Sequence, residues 1–523
     1  MEKVLRAHSR IKSFAVQNKT ALLFWLILLA AVLARVIYFT KLPPALNNDE
    51  AAIGYDTWSL LKYGVDRNGT HLPVHLISWG SGQNAIYAYL SMPFVALFGL
   101  NIFTVRIVNL IFGTLSVAVT YFFVKNFYSV RTALFTMGLV AVSPWHILLS
   151  RWGLESNLFP SLFLIGVWLF TSGIRKDWMY IAGAAVLALS LYAYGTAYLV
   201  VPLFLLAAVP YMIYKYRPKT KIIAFSALVF AAVALPIALF VLTNKFGWGD
   251  IKILGFTAPS LTGTSRMSTA AGGTGLKNAL SNLYRMLIVQ DDGLLYNCVP
   301  GFGICYYISI PFALYGGYRV MARKDLFSVA TGIWLAAGIA LFFVYSDVNI
   351  NRVNIVFLPL IIFAGIGVCD VFKNKKQLIA AALVYCIMFT GFFAFYCTDV
   401  KRSLESRTGV HLGEAVAASQ RMADGEKTIY YSDAFWVPYI YTLFYEKTPV
   451  KDYIDTVKIE DMTNEMQIVL SYTNHRFYID ELECGEAGVY IMTTEELTGF
   501  KEKYSERITE IQIINNLAVA QMN

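Results

Sequence analysis

Charge is what this chain has least of. Asp, Glu, Lys and Arg supply 15% of its 523 residues, where a soluble domain carries about 25%. That shortfall, with 57% hydrophobic residues and a mean hydropathy of +0.54, excludes a water-soluble globule. Cysteine is scarce as well, six residues in all, so no disulfide framework is expected. Cys369, Cys386 and Cys397 fall in or beside apolar runs and read as core thiols. Cys298 and Cys305 share one loop and are the pair placed to bridge if that loop is extracytoplasmic. Histidine is equally sparse and nowhere takes a metal-ligand spacing. His71 and His75 are four apart, but Pro73 between them argues against a regular helix. No metal site made of protein ligands alone is inferred, and the sequence leaves a need for a divalent ion open. The alternating segments of about ten residues that build a membrane β-barrel are missing, and no repeat of fixed period is present.

In their place stands a succession of apolar runs near the roughly 20 residues that span a bilayer. They fall at about 21–39, 82–99, 103–124, 132–149, 157–174, 178–195, 197–214, 222–242, 304–322, 326–345, 353–372 and 377–397. The fold class is therefore an α-helical polytopic membrane protein. Lys3, Arg6, Arg10, Lys12 and Lys19 precede the first run, the order of a signal peptide. The run is long, no small-residue cleavage site follows and more runs come after it, so it reads as a retained first helix. The net charge of +9 collects in short clusters: Lys125 with Arg131, Arg175 with Lys176, Lys215 to Lys221, Arg319 to Lys324, and Lys373 to Lys376. Such clusters mark cytoplasmic loops rather than nucleic-acid binding. They all fall on one side only if 82–99 does not cross. Its polar start and Pro93 suit a short helix at the outer face. About eleven spans then remain, with a cytoplasmic N-terminus. The lack of a retention signal favours a plasma membrane.

Parity places three segments outside: the first loop, about 40–101, a short turn at 150–156, and a long loop at 243–303. The last contains Thr262-Gly263-Thr264-Ser265 and Ala271-Gly272-Gly273-Thr274-Gly275, a composition expected to be mobile. A loop of this length is often functional. From residue 398 the composition turns soluble. Lys427 to Ser432 and Gly488 to Met492 read as strands, Phe435 to Tyr445 as a helix, and Thr493 as the cap of another. Two domains are expected, a transmembrane catalytic domain over 1–397 and a small extracytoplasmic α/β domain over 398–523.

Asp49-Glu50 is the sharpest chemical feature. Leu42-Pro43-Pro44 stops the first helix, so the acidic pair sits near the outer membrane surface. A carboxylate there can meet a lipid headgroup and an acceptor arriving from water, and sugar transfer needs a base for the acceptor hydroxyl. Acids also suit the first turn of a helix over Glu50 to Leu61 for reasons of stability alone. Arg151 and Glu155 are four apart and share a face if their segment is helical; membrane-boundary ionisable residues are either anchors or site residues. Arg352 is the only basic residue at its span's outer end, against the charge bias, where it can grip a phosphate or merely snorkel. A phosphoryl leaving group needs charge neutralisation more than protonation, so a cation can take the place of an acid. Arg106 and Arg35 are weaker candidates of the same kind. Asn68-Gly69-Thr70 is a glycosylation sequon with meaning only in a suitable host, and the aromatic run Tyr192 to Tyr198 reads chiefly as helix packing.

Taken together these residues resemble the GT-C glycosyltransferases, specifically the protein O-mannosyltransferase and aminoarabinose-transferase-like group. The resemblance rests on Asn48-Asp49-Glu50-Ala51, Gly54-Tyr55-Asp56, Lys62-Tyr63-Gly64-Val65-Asp66, Gly69 with Pro73, Gly99 with Arg106, Ser143-Pro144-Trp145-His146, Ser150-Arg151 and Asn351-Arg352, in that order and spacing. It implies an inverting transfer from a polyprenyl-phosphate sugar at the outer face. It carries the role of base or acceptor-positioning group to Asp49, with Glu50 beside it, and the second outer acidic position to Glu155. Donor phosphate would be held by Arg352, Arg151 and Arg106. Tyr55, Tyr87 and His146, inside or beside these motifs, are expected to position substrate. Surface helices in the first loop are also familiar in the group, which fits 82–99. Aminoarabinose transferases carry Lys-Pro-Pro where this chain reads Gly82-Gln83-Asn84-Ala85-Ile86-Tyr87-Ala88-Tyr89. The lysine is missing, which leaves that phosphate contact and that sugar unsupported.

The expectation is thus a membrane glycosyltransferase whose partners are a polyprenyl-phosphate sugar and a lipid, glycan or protein acceptor. The alternatives are a flippase for a lipid-linked sugar and a non-catalytic cell-envelope assembly protein. A flippase should carry ionisable residues at the bilayer midplane and inverted repeats; neither is visible here.

Overall fold

Apolar helices too hydrophobic to face water on every side must bury against one another or against lipid, and this requirement organises the first three quarters of the chain. The computed structural model describes residues 18–261, 273–407, 409–463, 466–479 and 485–523. Lys3, Arg6, Arg10, Lys12, Thr262-Gly263-Thr264-Ser265 and Ala271-Gly272 lie outside the described residues. Among the described residues seven helices are long and apolar enough to cross a bilayer: Lys19–Val36, Ile102–Lys125, Ala197–Tyr216, Thr220–Phe246, Leu326–Val344, Ile350–Val371 and Lys375–Glu405. The remaining expected crossings form shorter or more polar helices, at Val130–Val142 with Pro144–Leu149, Glu155–Ser172, Trp178–Ser190 and Ser309–Met321. Ile86–Phe98 has 13 residues. It is as short as Val130–Val142 and Trp178–Ser190, and contains Pro93.

The first crossing, α1 (Lys19–Val36), packs on α4 (Ile102–Lys125) and α5 (Val130–Val142). Beyond the prolines the chain re-enters helix as α2 (Asn48–Tyr63). Asn47 caps it in a reciprocal box: its Oδ1 accepts from Glu50 N at 2.7 Å, and its own N–H donates to Glu50 Oε2 at 3.1 Å. Gly64, in the left-handed region at φ 73°, ends it. Helix α3 (Ile86–Phe98) packs on α2 and α4. Helix α7 (Glu155–Ser172) pairs with α8 (Trp178–Ser190); α9 (Ala197–Tyr216) and α10 (Thr220–Phe246) follow. Ser309–Met321 packs tightly on Phe357–Val371. A Cβ on Gly316 would lie 1.9 Å from the Phe363 carbonyl oxygen, so only glycine permits that approach.

The C-terminal region is built on a seven-stranded sheet in the order β10-β11-β9-β5-β8-β7-β6. Its centre is β5 (Ile429–Ser432), parallel both to β8 (His475–Ile479) and to β9 (Gly488–Thr493). The outer strands β6 (Lys458–Ile459), β7 (Val469–Tyr472), β10 (Ile508–Ile514) and β11 (Leu517–Met522) pair antiparallel. The expected strands, the helix as Pro438–Glu446, and the Thr493 cap are all present. The Pro438–Glu446 helix lies directly on α2. Gly54 of α2 is the contact point, since a Cβ there would meet the Phe444 ring at 2.6 Å. The hydrophobic core therefore runs unbroken from the helix bundle into one face of the sheet.

Candidate functional site

Three helix N-termini meet at the first-loop end of the bundle. The first is α2, with Asp49 and Glu50 in its opening turn. The second is α7, beginning at Glu155. The third is the short helix Ile350–Val353, which carries Arg352 and is capped by Asn349. Long-range polar contacts fix their mutual positions. Gly153 N, just before α7, donates to Glu50 Oε1 at 2.7 Å. Asn354 Nδ2 donates to the Ser156 carbonyl at 2.8 Å, tying the Arg352 segment to the start of α7. Asp292 Oδ2 accepts from Ile350 N at 2.9 Å and from Asn297 Nδ2 at 2.7 Å, anchoring the long loop to the same helix.

Tyr194, in the turn before α9, sits among the charges these helices bring. Burial raises its hydroxyl pKa; Arg352 opposes that rise, and Glu155 and Asp49 add to it. Asp49, Glu155 and Arg352 are thus gathered within electrostatic reach of one phenol. Gln83 Nε2 points at Asp49 Oδ1 from 3.3 Å. Its neighbour Asn84 donates to the Tyr198 hydroxyl at 2.9 Å and to the Leu191 carbonyl at 3.1 Å, holding the tyrosine turn in place. Arg352 gives Nη1 to Asp347 Oδ2 at 2.8 Å, and its side chain keeps 27% of its surface exposed. Among the described residues its Nε and Nη2 have no acceptor. Tyr296 also lies within electrostatic reach of Asp49, and of Arg407 from the start of the C-terminal region.

Several expected site residues prove to be braces. Glu50 is fully buried and forms a two-point ion pair with Arg106, Nε to Oε1 at 2.7 Å and Nη2 to Oε2 at 2.8 Å. With the Asn47 and Gly153 N–H groups its acceptor positions are taken, which corrects the expectation that it acts beside Asp49 in catalysis. Arg106, itself fully buried, spends its other nitrogen donors on the Pro43 and Ala45 carbonyls. Arg151 gives all five N–H groups to the carbonyls of Ala34, Arg35, Ile37 and Leu42. Arg151 has no N–H left for a phosphate, which corrects its expected phosphate role, and Arg106 makes four of its five possible bonds within the protein. Nor do Arg151 and Glu155 share a helical face: a non-helical turn separates Leu149 from Glu155. His146 is buried between Arg35 Nη2, at 2.7 Å, and Ser116 Oγ, at 2.8 Å. The Tyr55 hydroxyl donates to the Thr448 carbonyl at 2.6 Å and that of Tyr87 to the Val105 carbonyl at 2.7 Å, both from fully buried rings. These three hold structure rather than position substrate.

Sequence reasoning missed Tyr194 and Gln83. The aromatic run was legible, but its place beside Asp49 depends on contacts between residues more than a hundred positions apart. Cys298 and Cys305 are free thiols. Among the described residues one group has metal-ligand proximity: Asp291, Asp292 and Cys298, within 4.8 Å of one another. Its carboxylates serve as loop caps, accepting from Gly293 N and Leu294 N.

No protein-family model matches the chain, and neither does any curated protein. Solved structures do. ArnT, the aminoarabinose transferase of Cupriavidus metallidurans, superposes in its apo state with a TM-score of 0.58 at 12% identity, over 97% of this chain and 98% of its own. The same enzyme bound to undecaprenyl phosphate gives 0.56 at 12% identity, over 96% and 98%. The oligosaccharyltransferase of Archaeoglobus fulgidus in its apo form gives 0.53 at 13% identity, over 83% of this chain and 64% of its own. From these overlaps, nearly end to end in the first case, the chain has the GT-C fold of membrane glycosyltransferases.

Proposed function

We propose that the protein is an inverting glycosyltransferase that takes a sugar from a polyprenyl-phosphate donor and passes it to an acceptor hydroxyl at the outer membrane face. The observation that carries this reading is that hydrogen bonds from Gly153 N to Glu50 and from Asn354 to the Ser156 carbonyl hold the helix starts bearing Asp49, Glu155 and Arg352 together. A carboxylate and a partly exposed guanidinium are what the two ends of such a displacement require. Asp49 accepts the acceptor's hydroxyl proton as its oxygen attacks the anomeric carbon. The glycosidic carbon–oxygen bond to phosphate breaks on the opposite side, and the phosphate leaves with its negative charge met by the free nitrogens of Arg352. Glu155 positions the acceptor, and Gln83 orients Asp49. The ArnT structure with undecaprenyl phosphate supports a donor of that lipid class. In this topology the N-terminus is cytoplasmic, residues 1–397 form the membrane domain, and residues 398–523 lie outside, in a plasma membrane.

The test is turnover of lipid-linked sugar by Asp49→Asn protein in lipid nanodiscs. A loss of about 10²- to 10⁴-fold is expected for a general base. Wild-type turnover by a normally folded variant would remove Asp49 from the chemistry.

A further inference from the structure

The end of the bundle remote from Asp49 holds an apolar cavity. It has a volume of about 210 Å³ and is walled by Tyr180 of α8, Met212 of α9, and Ile222, Ser226 and Phe230 of α10. At about 1.5 Å per residue, the 18 residues of α7 put this end about 27 Å from Glu155. Helix α10 packs on α8 and α9 packs on Leu326–Val344, and the cavity lies in the wedge between them. Ala227, also on its wall, is exposed, so the wedge opens on the lipid-facing side of the bundle.

Cations gather where the wedge reaches the membrane surface. Residues 173–177 link α7 to α8, and residues 217–219 link α9 to α10. Lys219 Nζ donates to Asp177 Oδ2 at 2.8 Å, which holds the two links side by side. Lys176, Lys215, Arg217 and Lys221 are exposed on or beside them, and among the described residues none of their side chains has an acceptor. Lys215 stands three residues beyond Met212 on α9, on the same helical face, and Lys219 stands three before Ile222. Trp178 and Tyr214, 57% and 80% exposed, mark the headgroup level at this end. Ser226 lies about 9 Å deeper along α10 than Thr220. Its Oγ is buried and has no hydrogen-bond partner among the described residues.

We propose that this wedge binds an anionic diacylglycerophospholipid. One acyl chain fills the cavity between α9 and α10, an ester carbonyl accepts from Ser226 Oγ, and the phosphate sits among Lys215, Arg217 and Lys219. An apolar cavity does not hold water, and an unfilled one forfeits the dispersion contacts of its walls. Its occupant must be apolar in the cavity, carry an acceptor at the depth of Ser226 and be negative at the rim. Basic clusters between membrane helices take anionic headgroups in this way. A second copy of the chain would bring its own basic links against these. A polyprenyl phosphate has no ester carbonyl for Ser226, and a zwitterionic lipid already neutralises its own phosphate. The site shares no residue with Asp49, Glu155 or Arg352, so it stands apart from the transferase reading, and the lipid chemistry holds in whichever leaflet this end meets.

The test is native mass spectrometry of the full-length protein released from detergent micelles and titrated with dioleoyl phosphatidylglycerol, dioleoyl phosphatidylcholine, undecaprenyl phosphate or glycerophosphoglycerol, the headgroup without chains. Phosphatidylglycerol should bind roughly tenfold or more tightly than phosphatidylcholine. The exposed pair Lys215→Gln with Arg217→Gln should weaken it about 5- to 30-fold and leave phosphatidylcholine unchanged. Ala184→Leu fills the cavity from α8 and should weaken phosphatidylglycerol roughly tenfold or more. Ser226→Ala should weaken it about two- to tenfold and leave its ether-linked analogue unchanged. Equal affinity for the two phospholipids would overturn the site. So would an affinity unmoved by the charge pair or by Ala184→Leu at wild-type thermal stability, tighter binding of undecaprenyl phosphate, or equal competition by glycerophosphoglycerol.

Discussion

Two adjacent carboxylates, Asp49 and Glu50, should fail in opposite ways when removed. Glu50→Ala leaves Arg106 as an unpaired cation in a site with no solvent exposure. Removing one partner of a buried ion pair costs about 3–5 kcal/mol. The orphaned Asn47 and Gly153 N–H groups add to that cost, though not additively. Arg106→Met should cost a similar amount. The double variant Glu50→Met with Arg106→Met removes both charges, and its penalty should fall well below the sum. A residue of about 1–3 kcal/mol should persist because the Pro43 and Ala45 carbonyls lose their donor. Stability is read by denaturant titration in detergent micelles, and turnover per folded molecule at low temperature. Glu50→Ala should unfold far more easily yet keep turnover within about tenfold of wild type. A Glu50→Ala protein of normal stability and no activity would refute the assignment of Glu50 as a brace.

Arg352→Ala should lower kcat/KM for the lipid-linked donor by about 10- to 150-fold, the worth of charge-assisted hydrogen bonds, and Arg352→Lys should recover only part; equal kcat/KM in all three proteins would exclude a phosphate contact. Gly54→Val places a Cβ 2.6 Å from the Phe444 ring, and the overpacking should cost about 1–3 kcal/mol, visible as faster proteolysis of the C-terminal region. Asp66 is buried against Asp56, and burial raises its pKa from 3.8 to about 7. The folded state then holds a proton that the unfolded chain has lost, so this group's contribution is full below the unfolded value and declines as pH rises from about 4 through 7. Thermal stability at pH 5.5 should exceed that at pH 7.5, and Asp66→Asn should flatten the difference.

What was legible in the sequence was what periodicity and composition encode. Apolar runs, the proline stop before α2, the capped helix at Thr493 and the soluble tail needed no knowledge of distant partners. The helix at Ile86–Phe98 was legible as an apolar run. The functional weight of individual ions was not legible. Arg106 and Arg151 have the residue type and placement of anion grips, yet Arg106 is held by Glu50 and two backbone carbonyls, and Arg151 by backbone carbonyls alone. Arg352 differs from them in being partly exposed and in keeping Nε and Nη2 unspent among the described residues. Gln83 and Asn84 occupy the segment where the aminoarabinose-type lysine is missing, and both face the site. That replacement became readable only when Asp49 and Tyr198 were seen on either side of it.

The five bonds from Arg151 to the end of α1 and to Leu42 just beyond it have a consequence for how the bundle can move. They rivet the first crossing to the turn that leads into α7, and Arg35 adds a second fastening to Ser150 and the Ala141 carbonyl. Moving the first crossing away from that turn would mean unmaking a buried polar lattice, so this flank of the bundle behaves as one rigid body.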